Sequence, residues 1–134
     1  MAQKAIVVVY NRIPELTRAL PDEVGQIVEQ TMTMIESDAK LSMLGPHTGQ
    51  MYGKHQASAP GEAPAVDTGH LRAGIQGWMT SKVSAVVGVL AEYGAALEYG
   101  TTRMAARPFM TPAAEKGRRW FMAQMKDLEG RLRR

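Results

Sequence analysis

No cysteine occurs in the 134 residues, which excludes disulfides and thiolate metal sites and suits a reducing interior. No stretch approaches the roughly 20 apolar residues of a membrane span. The start Met-Ala-Gln-Lys-Ala-Ile-Val-Val-Val-Tyr has too short an apolar run for a secretion signal, so the chain reads as soluble and unprocessed. Catalytic patterns are missing too. There is no His-Glu-x-x-His pair and no Gly-x-Ser-x-Gly elbow, and the glycines beside Tyr52 and Tyr99 do not sit between a strand and a helix as a phosphate loop requires. No cofactor, metal site or catalytic residue is expected, and the chain is read as a non-enzyme.

What is present is the material of one domain, large enough for folding to bury about two-thirds of the unfolded surface. Ala5 to Tyr10 is a β-branched run whose lack of alternation predicts a strand covered on both faces, and a short turn of helix follows Pro14 within Arg12 to Ala19. A long helix begins near Pro21. Its apolar stripe runs Val24, Val28, Met32, Ile35, Ala39 and Met43, widened by Ile27, Met34 and Leu41. From Leu44 to Val66 there is no period, only Gly, Pro and small residues, which predicts a mobile loop or an arm ordered against a neighbour. Asp67 or Thr68 caps one helical turn with Leu71 inward. Two alternating runs joined at Ser81 and Lys82 then form an antiparallel hairpin, the second strand more apolar than the first.

Tyr93 to Ala114 is dense in backbone punctuation. Gly94 and Gly100 permit positive φ, Pro108 extends Arg107, and Thr111 with Pro112 reads as the N-cap and first position of a last helix. That helix carries the stripe Ala114, Gly117, Phe121, Met125, Leu128 and Leu132, and the joint before it is expected to set it against the sheet. The fold class is α+β, a small mostly antiparallel sheet with a long helix across one face and a C-terminal helix.

Charge is unevenly spread. The first third is acidic, whereas Lys116, Arg118, Arg119, Arg131, Arg133 and Arg134 make the end basic. That balance fits DNA contact, or cations opposing a helix dipole. One alternative function is therefore a nucleic-acid-binding module that adds Trp78, Trp120 and tyrosines as stacking platforms. A second is a small hydrolase around His70 and Asp67, although capping explains that carboxylate equally well. His47 and His55 fall in the loop without metal-ligand spacing. Glu92 and Glu98 lie six apart, and Glu98 is read as bracing the Gly100-Thr101 corner.

In order, the chain carries Asp67-Thr68-Gly69-His70-Leu71-Arg72, a hairpin, Leu97-Glu98-Tyr99-Gly100-Thr101, and Ala106-Arg107-Pro108-Phe109. This set resembles the gene-product-ten-like family of long-tailed bacteriophages, the tail-completion or neck proteins of the head-to-tail junction. The loop containing His55, Gln56, Ser58, Pro60 and Glu62 is similar to a version common there, while Gly74 departs from the hydroxyl or larger residue of many relatives. The resemblance implies a structural virion protein forming a six-subunit ring that joins tail to capsid and lets DNA pass. Implied partners are further copies of the chain, a head-completion protein and a tail terminator. Contact with passing DNA is transient, and assembly takes place in the host bacterial cytoplasm. It assigns Asp67, Thr68, Gly69, Leu71 and Arg72 to the turn, and Glu98, Gly100, Thr101, Arg107, Pro108 and Phe109 to the corner and arm. Arg72 or Arg107 is the expected ion-pair partner of Glu98, and the 55–62 loop the expected partner contact.

Overall fold

Pro21 opens α1 (Pro21–Ser42), where a missing N–H leaves no helical bond unmade and where Asp22 and Glu23 face the positive end of the dipole. The computed structural model describes residues 7–10, 20–66 and 69–133. α1 buries Val24, Ile27, Val28, Thr31, Ile35 and Ala39, with Met43 enclosed just beyond its end. Thr31 is the polar member of this face, and its hydroxyl donates to the Ile27 carbonyl at 2.7 Å. Leu41 does not belong to the stripe. It lies at the rim beside Pro112 and Lys116 and remains 57% exposed.

Three strands form the antiparallel sheet in the order β1-β5-β4: β1 (Val7–Tyr10), β4 (Ile75–Ser81) and β5 (Ser84–Val89). The expected hairpin is present, with Ile75 opposite Val89 and Gly77 opposite Val87. Its second strand is the more apolar because it is central, and Ala85, Val87 and Val89 are all buried. Ala73 is not part of the first strand; it closes α2 (His70–Ala73), whose end releases the alternation at Ile75. The expected turn within Arg12 to Ala19 lies outside the described residues, as does the covering of the N-terminal strand.

The segment from Leu44 to Val66 is not structureless. It builds a ribbon of β2 (Met51–Tyr52) and β3 (His55–Gln56), continued by bonds from the Gly49 N–H to the Ala57 carbonyl at 2.9 Å and from the Ala57 N–H to the Gln50 carbonyl at 3.0 Å. Strands of two residues are too short to show a period, which is why the pattern was silent. Ser58 and Pro64 are buried, and Ala63 and Val66 pack against the core, so the segment adds to the interior.

After α3 (Gly94–Tyr99) the chain turns into α4 (Met110–Leu132), which buries Met110, Ala113, Gly117, Phe121, Met125 and Leu128. This is the expected face begun one turn earlier, with Ala114 half-buried and Leu132 exposed. The main packing partner of α4 is α1 rather than the sheet. The two helices run antiparallel, since Lys116 meets Asp38 at one end (3.4 Å) and Arg131 meets Glu23 at the other (3.7 Å). A methyl built on Gly117 would overlap Ile35, so glycine is what allows the two backbones to approach there. One core cluster joins Ile35, Met43, Ile75, Val89, Phe109 and Met110; the other joins Val24, Val28, Phe121, Met125 and Leu128. α1 contributes to both. Among the described residues, no helix is long and apolar enough to cross a membrane.

Ile35 sits where the first core cluster meets the helix crossing, so Ile35→Ala is expected to cost about 2–5 kcal/mol in urea unfolding. Leu41→Ala, on the exposed rim, is expected to stay within about 0.5 kcal/mol. Equal losses from the two would contradict the placement of the stripe.

Candidate functional site

An α-helix begins with four N–H groups that have no partner inside the helix. For α4 these belong to Phe109, Met110, Thr111 and Pro112, and proline has none to satisfy. The Glu98 carboxylate accepts the other three. Phe109 and Met110 donate to Oε2 at 2.7 and 2.9 Å, and Thr111 donates to Oε1 at 2.7 Å. Glu98 is 3% exposed, and an isolated carboxylate would be costly at that depth. Three charge-assisted bonds and the positive end of the helix dipole compensate it without a cation.

This arrangement corrects three expectations. Thr111 is not the N-cap, because the helix starts at Met110 with Phe109 in the capping position and no side-chain bond from it. Glu98 does not brace the Gly100-Thr101 corner; it reaches past the corner to the next helix. Neither Arg72 nor Arg107 pairs with Glu98, since backbone donors already occupy its oxygens.

The corner itself is closed by backbone. The Gly100 N–H donates to the Ala96 carbonyl at 2.9 Å, and the Thr101 N–H to the Met104 carbonyl at 2.8 Å. Gly100 has φ of 77°, and a Cβ there would stand 2.8 Å from the Ala106 nitrogen, so both conformation and space demand glycine. Gly94 does not need that freedom. It is helical and lies against Val89. The arm then returns alongside α3, with the Arg107 N–H donating to the Leu97 carbonyl at 2.6 Å, and this places Pro108 half-buried and Phe109 at 1% exposure. A further bond, from the Gly61 N–H to the Ala106 carbonyl at 2.9 Å, ties the ribbon segment to the arm.

The turn residues meet this joint only in part. Gly69 precedes α2 with φ of 82°, and Leu71 is buried in the same cluster as Phe109. Asp67 and Thr68 lie outside the described residues, and with them the expected cap and the expected His70–Asp67 pair. The His70 ring is 6.2 Å from that of Tyr93. Arg72 and Arg107 line one cleft together with His55, Ser58 and His70.

Glu62 was expected to contact a partner. Within the chain it serves as the clasp of the 44–66 segment, accepting from the Thr48 hydroxyl, the Thr48 N–H at 3.0 Å and the Ala59 N–H at 2.9 Å. These bonds, that of the Thr48 hydroxyl foremost, lower its pKa from an ordinary 4.5 to about 2, and nearby His47 acts in the same direction. Gln56 donates from Nε2 to the Gly49 carbonyl at 3.2 Å, while Pro60 is exposed.

Of the basic residues expected to face DNA, Lys116 and Arg131 bridge to α1, and Arg133 pairs with Glu129 on its own helix. Arg118 and Arg119 are exposed and form no ion pair with any described residue, and Arg134 lies outside the described residues. Trp120 packs against the second core cluster, which leaves Trp78 the more exposed of the two indoles. No group of three or more potential ligands able to hold a metal ion occurs among the described residues. No family model, no curated protein and no solved structure matches the chain.

Glu98→Gln keeps the shape but loses the charge and one acceptor, and its amide would face backbone donors. It is expected to cost about 2–3 kcal/mol and to raise amide exchange at Phe109, Met110 and Thr111. For Glu62 the folded pKa is depressed, so its contribution is present above about 4.5 and is lost as pH falls toward about 2. An NMR titration of the Thr48 and Ala59 amides should show a transition in that window, and Glu62→Gln should remove it.

Proposed function

We propose that the protein is a structural virion subunit of a long-tailed bacteriophage. It forms a ring at the head-to-tail junction, joining tail to capsid and letting DNA pass. The reading rests on the ordered turn, corner and arm motifs that resemble the gene-product-ten-like tail-completion proteins. The observation that carries it beyond resemblance is the outer surface. Leu41, Leu44, Met51, Tyr52, Tyr99 and Met122 are each more than half exposed, with Tyr99 at 71%. Large apolar side chains left exposed are available for contact with other protein surfaces. A ring of identical subunits makes such contacts head to tail and closes them by rotation.

The joint at Glu98 suits this role. It holds α4 at a set angle to α3 through bonds to backbone, so exposed Tyr99 and the arm keep a constant relation to α4. Its work is geometric.

The nucleic-acid reading keeps one specific support, the exposed Arg118 and Arg119, which form no ion pair with any described residue. Pairing of Lys116, Arg131 and Arg133 with carboxylates removes half of the proposed basic surface. Loose contact with DNA is the expectation for a ring lumen, because tight phosphate binding would retard passage.

Negative-stain microscopy and mass in solution, with and without tails or heads of the cognate particle, test the proposal. Rings or tail joining are expected for the native chain. Glu98→Ala should lose them while far-ultraviolet circular dichroism still shows most of its helix. A native chain that stays monomeric and fails to join tails would overturn the reading, and strong salt-sensitive duplex binding would favour the nucleic-acid module.

A further inference from the structure

The two arginines that do not reach Glu98 share a different surrounding. A cleft of about 320 Å³ lies between the 44–66 segment, α2 and the arm, and both Arg72 and Arg107 line it. His55 and His70 stand on the same wall, and no described residue of the lining is acidic. Neither guanidinium forms an ion pair with any described residue; Arg107 Nη1 donates to Met104 Sδ at 3.8 Å. The Nε–H of each is enclosed and lacks an acceptor.

Some buried polar groups of this fold are matched, whereas Asp38 Oδ2 and His47 Nδ1, like the two arginine Nε atoms, have no hydrogen-bond partner among the described residues. Glu98 is held by three N–H groups, and Thr31 donates to a carbonyl. Arg72 and Arg107 are two half-buried cations lining one cleft with no counter-charge among its described residues, and such groups are costly unless an anion meets them. A planar, multiply donating guanidinium matches a carboxylate or phosphate better than any neutral group. The rest of the lining decides between those two. Met43, Leu71, Leu97 and Val66 make an apolar floor, which would be wasted on an inorganic ion and suits a ligand with a hydrocarbon body.

We propose that this cleft is a binding site for an organic carboxylate with an apolar body. The carboxylate is held by Arg72 and Arg107, and the body rests against Met43, Leu71 and Leu97. The site stands independently of the ring, since every residue in it belongs to one chain. The same chemistry is offered by a free short-chain acid and by an acidic side chain flanked by apolar residues on another protein.

The test uses the full chain, with binding followed by NMR shifts of the Leu71 and Leu97 methyls. Four probes are compared: hexanoate, its neutral analogue hexanamide, inorganic phosphate, and the peptide acetyl-Leu-Glu-Leu-amide. Saturable shifts with hexanoate or the peptide, larger than with phosphate and absent with hexanamide, are expected. The tighter of the first two identifies the source. Arg72→Gln and Arg107→Gln should each weaken binding about tenfold or more, whereas Arg118→Gln on the outer face of α4 should not. Should either cleft variant fail to fold, the native comparison of hexanoate with hexanamide still decides. Equal binding of those two would reduce the cleft to an apolar groove, and tighter phosphate binding, loss with Arg118→Gln, or no saturable shift would each overturn the proposal.

Discussion

A carboxylate buried at the start of a helix is the constraint on which this structure depends. Glu98 ends one short helix and holds the start of a long one, and it satisfies every N–H that α4 leaves open. Because Pro112 offers none, three bonds complete the account. Both of its oxygens are therefore engaged by backbone N–H groups rather than by a cation. The loop between is consequently held short and tight: Gly100 turns the corner, Arg107 returns its N–H to Leu97, and Phe109 is drawn into the core. The arm is thus closed by backbone bonds together with the Glu98 carboxylate.

The second organising fact is the antiparallel pair of long helices. Gly117 admits Ile35, and the two helices share both core clusters. The acidic first third and basic last third of the chain meet across this pair, at Lys116 with Asp38 and at Arg131 with Glu23. Exposed bridges of this sort contribute little stability, yet they favour one direction and register of packing over others. Part of the charge asymmetry thus has an internal explanation, and it is correspondingly weaker as evidence for nucleic acid.

Once Glu98 is assigned to α4, the arginines of the turn and arm line a cleft and form no ion pair with any described residue. The ribbon clasped by Glu62 forms one wall of that cleft, so the Gly- and Pro-rich segment has a structural part in shaping it. The exposed apolar side chains and the cationic cleft, whose described lining holds no acid, lie on one scaffold.

Elements with a local signature were legible from the residues alone. The start of α1 at Pro21, the alternation of β4 and β5, and the buried face of α4 follow from spacing and from the chemistry of helix ends, which act over a few neighbouring positions. The ribbon at Met51–Tyr52 and His55–Gln56 was illegible because two-residue strands carry no period. The exposure of Leu41 was illegible because a stripe does not say how much of it a neighbour will cover. Glu98 is eleven residues from Phe109, far beyond the spacing of a capping box, so only the returning arm could show what it caps. The partner of α4 and the destination of Arg72 and Arg107 were likewise decided by tertiary structure. Each depends on which distant surfaces fill the core together, and on which donors reach a carboxylate first.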